Sequence, residues 1–297
     1  MAGYRHTNAS ASTDKPTDSG SPTTSQAEME VEEFKYTIFV ADLTSQGAPL
    51  QASPNDVQRV VDRLQYIHEV THVTLFSGSN STKDKPRLPS DGFKVETSSY
   101  ELLTHLLNII IYAANTCLTR ARYLEGLRFY PYDAEMREKL DSTKPLKPDI
   151  LGFRARTPFE KPVSWDDVAV FIEVKANLVE TIKQLAVYAR AHLALNRRRS
   201  SSITMSFDHT TTILYFFYFH CSGISASPAL HLDREDGFKS FVEHMVGLLS
   251  IKDEEAFGLD MTRAEDVYRL NGSDYRIIQT IYVRGHSTVV YSLNRAK

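Results

Sequence analysis

A chain of 297 residues with 42% hydrophobic and 24% charged residues has a globular balance and room for one large domain with extensions. It contains no run of 18 apolar residues, which excludes a helical membrane span, and no basic-then-apolar leader, so an intracellular setting in cytoplasm or nucleus is expected. Two cysteines, Cys117 and Cys221, exclude a disulfide scaffold, and a net charge of −3 leaves any nucleic-acid contact to a local basic patch.

Residues 1–27 hold ten Ser or Thr and one aromatic, Tyr4. Such a segment has too few apolar anchors to offset its ordering entropy and reads as a disordered tail. Phe34 to Val40 alternates as a strand does. Asn55 suits the cap of a helix over 56–69, with Val57, Val60, Val61 and Leu64 on one face. Residues 77–92 carry loop chemistry. Leu102, Leu103, Leu106, Leu107, Ile110 and Ile111 predict a core helix over 100–123, with Glu101 near its start. A short strand at 127–130 and a polar helical stretch at 134–140 precede the breaks at Pro145 and Pro148. Strands follow at 148–153 and 168–174, the second a continuous apolar run broken only by Glu173. A helix is expected over 180–196, then strands over 203–207 and 211–220 and an amphipathic helix over 236–251. Two last strands fall near 275–282 and 288–293. The fold class is α/β.

Glu173 and Lys175 share one side of their strand, because side chains alternate. Opposite charges inside an apolar strand are costly without partners. Asp149 opens the preceding strand, so pairing of the two strands brings both carboxylates together. Two carboxylates at a sheet end suit Mg²⁺ or Mn²⁺, which activates water and stabilises charge in a phosphoryl displacement. Lys175 is placed to neutralise the transition-state phosphate. Gln184 and Tyr188, four apart on the next helix, face one way and converge on the same place.

Pro148-Asp149, Glu173-Val174-Lys175 and Gln184-x-x-x-Tyr188, on strand, strand and helix, resemble the PD-(D/E)XK nuclease superfamily, and the last element resembles its RecB-type branch. The resemblance implies a restriction-endonuclease-like αβββαβ core with a mixed sheet flanked by helices. It implies Asp149 and Glu173 as metal ligands for Mg²⁺ or Mn²⁺, Glu101 as an additional acidic ligand, and Lys175 as the catalytic lysine. A narrower resemblance adds Trp165-x-x-Val168, Tyr188-Ala-Arg190, Asn196-Arg-Arg-Arg199, Ser227-Pro228 and Phe257-Gly-Leu-Asp260. These look like the N-terminal region of the fungal-type protein kinase family. They imply a nuclease-like domain over 30–251 and, over 252–297, a linker and the start of a kinase domain, with further kinase sequence in a longer parent protein. Tyr282 to Tyr291 carries one glycine, Gly285, where a kinase phosphate loop has several, and neither an HRD-x₄-N loop nor a DFG in the right context occurs. Kinase catalysis by this chain is therefore not expected.

Each feature has a plainer reading. Glu173 and Lys175 also fit an exposed edge-strand pair. Arg190, Arg197 and Arg198 fit phosphate-backbone contacts or, more simply, a basic helix end. The aromatic run 215–219 fits a buried strand better than a base-stacking platform. His209, His220 and His231 lack ligand spacing. The function expected is a metal-dependent nuclease acting on nucleic acid; the alternative is a non-catalytic regulatory or interaction module beside a kinase.

Overall fold

The computed structural model describes residues 38–71, 95–119, 122–132, 134–138, 145–154, 161–196, 199–220, 223–259, 263–264, 267–270, 273–284 and 288–295. Strand β1 (Ile38–Val40) is followed by helices α1 (Pro54–Thr71) and α2 (Glu96–Cys117). Strands β2 (Leu127–Pro131), β3 (Ile150–Arg154) and β4 (Val168–Val174) come next, then helix α3 (Leu178–Leu195). Strands β5 (Ser201–Asp208), β6 (Ile213–His220), β7 (Gly223–Ala226) and β8 (Leu230–His231) precede helix α4 (Glu235–Leu249). Strands β9 (Arg263–Ala264), β10 (Val267–Leu270), β11 (Ser273–Arg284) and β12 (Thr288–Arg295) form a separate four-stranded sheet.

The main sheet is mixed and open, in the order β1-β7-β6-β5-β4-β3-β2 with β8 paired to β6. Its β4–β5 and β1–β7 pairs are parallel and the others antiparallel. Strand alternation sends the two sides of each strand into two different cores. Val170, Ile172 and Val174 of β4, with Ile203, Met205 and Phe207 of β5, pack against α1, α2 and α4. Phe171 of β4 and Phe217 and Phe219 of β6 pack against Leu185, Ala186 and Tyr188 of α3. The result is a three-layer α/β arrangement in which, among the described residues, α3 and the turn at Trp165 cover one face.

Local chemistry explains the helix bounds. Pro54 heads α1, where its missing N–H costs nothing, so Asn55 lies inside the helix and is not its cap. Helix α2 begins at Glu96, four residues before the expected start, because Ser98 and Ser99 turn their hydroxyls back onto the Val95 carbonyl. It ends at Cys117, short of 123: Leu118 is extended, and the Tyr123 N–H goes instead to the Ile251 carbonyl. Asn177 caps α3 by accepting from the Val179 and Glu180 N–H groups.

The polar stretch 134–138 is not helical. The Met136 N–H donates to the Leu146 carbonyl and that of Arg137 to the Val163 carbonyl, so long-range partners take the bonds a helix would need. Strands β7, β8, β9 and β10 were not expected from the sequence pattern, being only two to four residues long. The expected tail over 1–27, residues 34–37 of the first strand and the loop at 77–92 lie outside the described residues. No helix among the described residues is long and apolar enough to cross a membrane.

One contact fixes the start of the site. Phe129 of β2 stands opposite Gly152 of β3, and a Cβ on Gly152 would meet the Phe129 ring at 2.6 Å. The ring therefore lies directly on the glycine.

Candidate functional site

Strand β4 is interior, paired to β3 on one side and β5 on the other, and all seven of its residues are buried. The edge-strand reading of Glu173 and Lys175 is thereby removed: Glu173 is 1% exposed and lies within the sheet. The β3–β4 register pairs Ile150 with Ile172, so Asp149, one residue earlier, stands opposite Glu173. Its Oδ2 accepts the Val174 N–H at 2.7 Å, which ties the end of β3 to the end of β4.

A chain of polar contacts continues from Glu173 to α3. Lys175 Nζ lies 3.1 Å from Glu173 Oε1 and also donates to Gln184 Oε1. The Gln184 amide donates to the Tyr188 hydroxyl at 2.5 Å, and Tyr188 donates its own proton to the Lys147 carbonyl at 2.9 Å. These roles orient one another. Lys175 has only donors, so Gln184 must turn its oxygen to it; Tyr188 spends its proton on Lys147, so it must accept from Gln184.

The electrostatics follow from burial. Glu173 is pushed up to about 8, first by burial and then by the charge of Asp149, against the opposing pull of Lys175. Asp149, half-buried, is also raised by burial, although the Val174 N–H and Tyr100 work in the other direction. Tyr188 is raised by burial and by Glu173. The Glu173 Oε2 atom is buried with no hydrogen-bond partner. Two neighbouring carboxylates thus share one ammonium, and Glu173 holds a proton at neutral pH.

Helix α2 contributes a group that the sequence pattern did not single out. Tyr100 donates to Glu96 Oε1 at 2.8 Å and lies beside Asp149, while Glu96 adds its charge to both Asp149 and Glu173. Glu101, the acidic residue picked out on this helix, is exposed and one residue out of phase with this face. The i, i+4 spacing of Glu96 and Tyr100 was the available signal, hidden by starting the helix at Tyr100.

Of the basic residues, Arg190 is half-buried on α3, and Arg197 and Arg198 lie outside the described residues. Arg199 is buried: it donates to the Val168 carbonyl at 3.1 Å and stacks 4.8 Å from the Phe257 ring. Val168 also receives His192 Nε2 at 3.0 Å, and His192 Nδ1 bonds Ser202 Oγ at 2.8 Å, so this histidine is a neutral core residue behind the site. Phe216, Phe217 and Phe219 are buried in β6, an interior strand, which fits the buried-strand reading of the aromatic run. Among the described residues no group of three or more His, Cys, Asp or Glu side chains forms a ready metal cage. No protein-family model matches the chain, and no curated protein matches it.

Proposed function

We propose that this chain carries a metal-dependent phosphodiester-cleaving site of the PD-(D/E)XK kind, on a restriction-endonuclease-like core. The observation that carries the reading is the pairing of Asp149 with Glu173 across β3 and β4, with Lys175 held beside them by Gln184 and Tyr188. The order α2-β2-β3-β4-α3-β5, with β4 and β5 parallel, is consistent with an αβββαβ core.

The donor set fits a hard divalent cation such as Mg²⁺ or Mn²⁺. Asp149 and Glu173 supply oxygens and the Glu173 Oε2 atom has no other partner, so a divalent ion would displace the proton that burial and Asp149 hold on Glu173. Such an ion, when bound, supplies a water of lowered pKa and a counter-charge for the phosphate. The Val174 N–H fixes the Asp149 carboxylate, and Glu173 fixes Lys175. Two of the three ammonium donors of Lys175 are taken by Glu173 and Gln184, which leaves one for a phosphate oxygen arriving from solvent. Lys175 is 33% exposed, enough to meet it.

The test pairs two substitutions. Asp149→Ala is expected to abolish Mn²⁺-dependent cleavage and weaken Mn²⁺ binding in calorimetry. Lys175→Ala is expected to abolish cleavage with Mn²⁺ binding nearly retained. Failure of the unaltered protein to bind Mn²⁺ or nucleic acid at low salt would overturn the enzyme reading. A second reading, a non-catalytic interaction module, is favoured by the near-complete burial of Glu173 and the lack of a preassembled three-ligand cage among the described residues. In either case we infer that the chain is related to the N-terminal region of the fungal-type protein kinases, with residues 252–297 leading into the kinase part. The long antiparallel β11–β12 pair is compatible with the opening strands of such a domain.

A further inference from the structure

Beside Lys175 lies a cavity of about 50 Å³, between the first turn of α3 and the ends of β5 and β6. The strand registers set its walls. Glu173 pairs with Ser206, and Ser206 with Tyr215, so these three form one row across β4, β5 and β6. Asp208 and Ile213 form the next row outward, level with Lys175. Thr181 closes the cavity from α3. The polar lining is thus Lys175, Thr181, Ser206, Asp208 and Tyr215.

The needs of these groups define what fits. Ser206 is 2% exposed, and its Oγ is buried without a hydrogen-bond partner. A buried hydroxyl in that state costs about 1–3 kcal/mol until something bonds to it. Asp208 accepts from the Thr210 N–H, the Thr210 hydroxyl and the Thr211 N–H, all on Oδ1, so its Oδ2 keeps accepting capacity. The cavity therefore asks for a group that both donates and accepts. Asp208 in its wall argues against an anion inside the cavity itself, beyond the phosphate outside it at Lys175. Its size argues against a nucleobase, since a single water already occupies about 30 Å³ of liquid. Next to a phosphate at Lys175, the remaining piece of a nucleic acid is the sugar, and only ribose offers a hydroxyl at C2′.

We propose that this cavity receives the 2′-hydroxyl of the ribose flanking the phosphate at Lys175, which makes RNA the substrate class of the site. This rests on the phosphodiester-cleaving reading and deepens it. Ser206 is then a specificity-determining residue, and Asp208 and Tyr215 its partners in the same contact.

The experiment compares RNA and DNA oligonucleotides of one sequence, in binding and in Mn²⁺-dependent cleavage, with the unaltered chain and with Ser206→Ala. RNA is expected to be cut about tenfold faster, the scale of one well-made hydrogen bond to a buried group. Ser206→Ala is expected to narrow the RNA-to-DNA ratio towards one. An RNA carrying a single 2′-deoxynucleotide, moved along the strand, is expected to reproduce that loss at one position, and this arm needs no variant to fold. Equal cutting of RNA and DNA, or a ratio unchanged by both Ser206→Ala and the deoxy scan, overturns the subsite and leaves the nuclease reading standing. Binding and cleavage of neither nucleic acid overturns both.

Discussion

Glu173→Gln should make the protein more stable while disabling the site, and the gain should depend on pH. Glu173 ionises near 4.5 in the unfolded chain but near 8 in the folded one. The folded state therefore binds the extra proton between those values, and stability from this group is complete below 4.5 and lost as pH rises through 8. At about 1.4 kcal/mol per pH unit, the ionised folded state carries a penalty of at most roughly 4–5 kcal/mol. Glutamine removes the charge but not the burial. Losing the contact to Lys175 costs up to about 1 kcal/mol because that ammonium reaches solvent, and an unpartnered amide N–H costs about 1 kcal/mol more. A net gain of about 2–3 kcal/mol at pH 8.5 remains, which vanishes near pH 6 and becomes a loss of about 1 kcal/mol at pH 5. Urea unfolding followed by Trp165 fluorescence measures it, since Trp165 is the single tryptophan, fully buried, and 6.1 Å from the Tyr188 ring. A variant less stable than the parent at pH 8.5, or a difference constant from pH 5 to 8.5, would refute the argument.

His192 gives a slope of opposite sign. Burial and the Arg199 charge hold it well below its ordinary value of 6.5, so the unfolded chain takes up a proton that the folded one refuses, and stability is lost as pH falls below 6.5. His192→Gln should flatten the stability–pH curve between 5 and 6.5 by up to about 1.4 kcal/mol per unit, read from urea midpoints. Gly247→Ala should cost at least about 3 kcal/mol or abolish folding, because the new Cβ would lie 1.9 Å from the Leu50 carbonyl oxygen, which is backbone; thermal melting tests this. Arg199→Met should cost about 2–3 kcal/mol by leaving Val168 with one donor fewer and the Phe257 ring without its cation, and an unchanged melting temperature would contradict it.

Continuous apolar runs were the legible part of this sequence. The seven residues of β4 coincide with the run 168–174, and α3 and α4 begin and end within two residues of their expected bounds. The site was legible as spacing: Glu173 and Lys175 two apart on a strand, Gln184 and Tyr188 four apart on a helix. What spacing could not supply was tertiary. Nothing local announces that β4 is interior, which depends on pairing with β3 before it and β5 beyond the next helix. Glu96 was missed because the first turn of α2 is polar, and its helical state rests on serine hydroxyls bonding back to Val95. Residues 134–138 look helical in composition, yet their N–H groups are claimed by Leu146 and Val163.

The ring of Phe129 resting on Gly152 has a consequence for anyone moving this site to another scaffold. Side chains on a strand alternate, so a slip of one residue between β3 and β4 would turn Asp149 to the opposite face from Glu173. Phe129 and Gly152 sit on the adjoining strands β2 and β3, with Gly152 three residues past Asp149. Grafting Asp149, Glu173, Lys175, Gln184 and Tyr188 alone would transplant the chemistry without its alignment. A transplant would have to keep the β3–β4 register that sets the carboxylates opposite one another, along with the aromatic–glycine contact that seats β2 on β3.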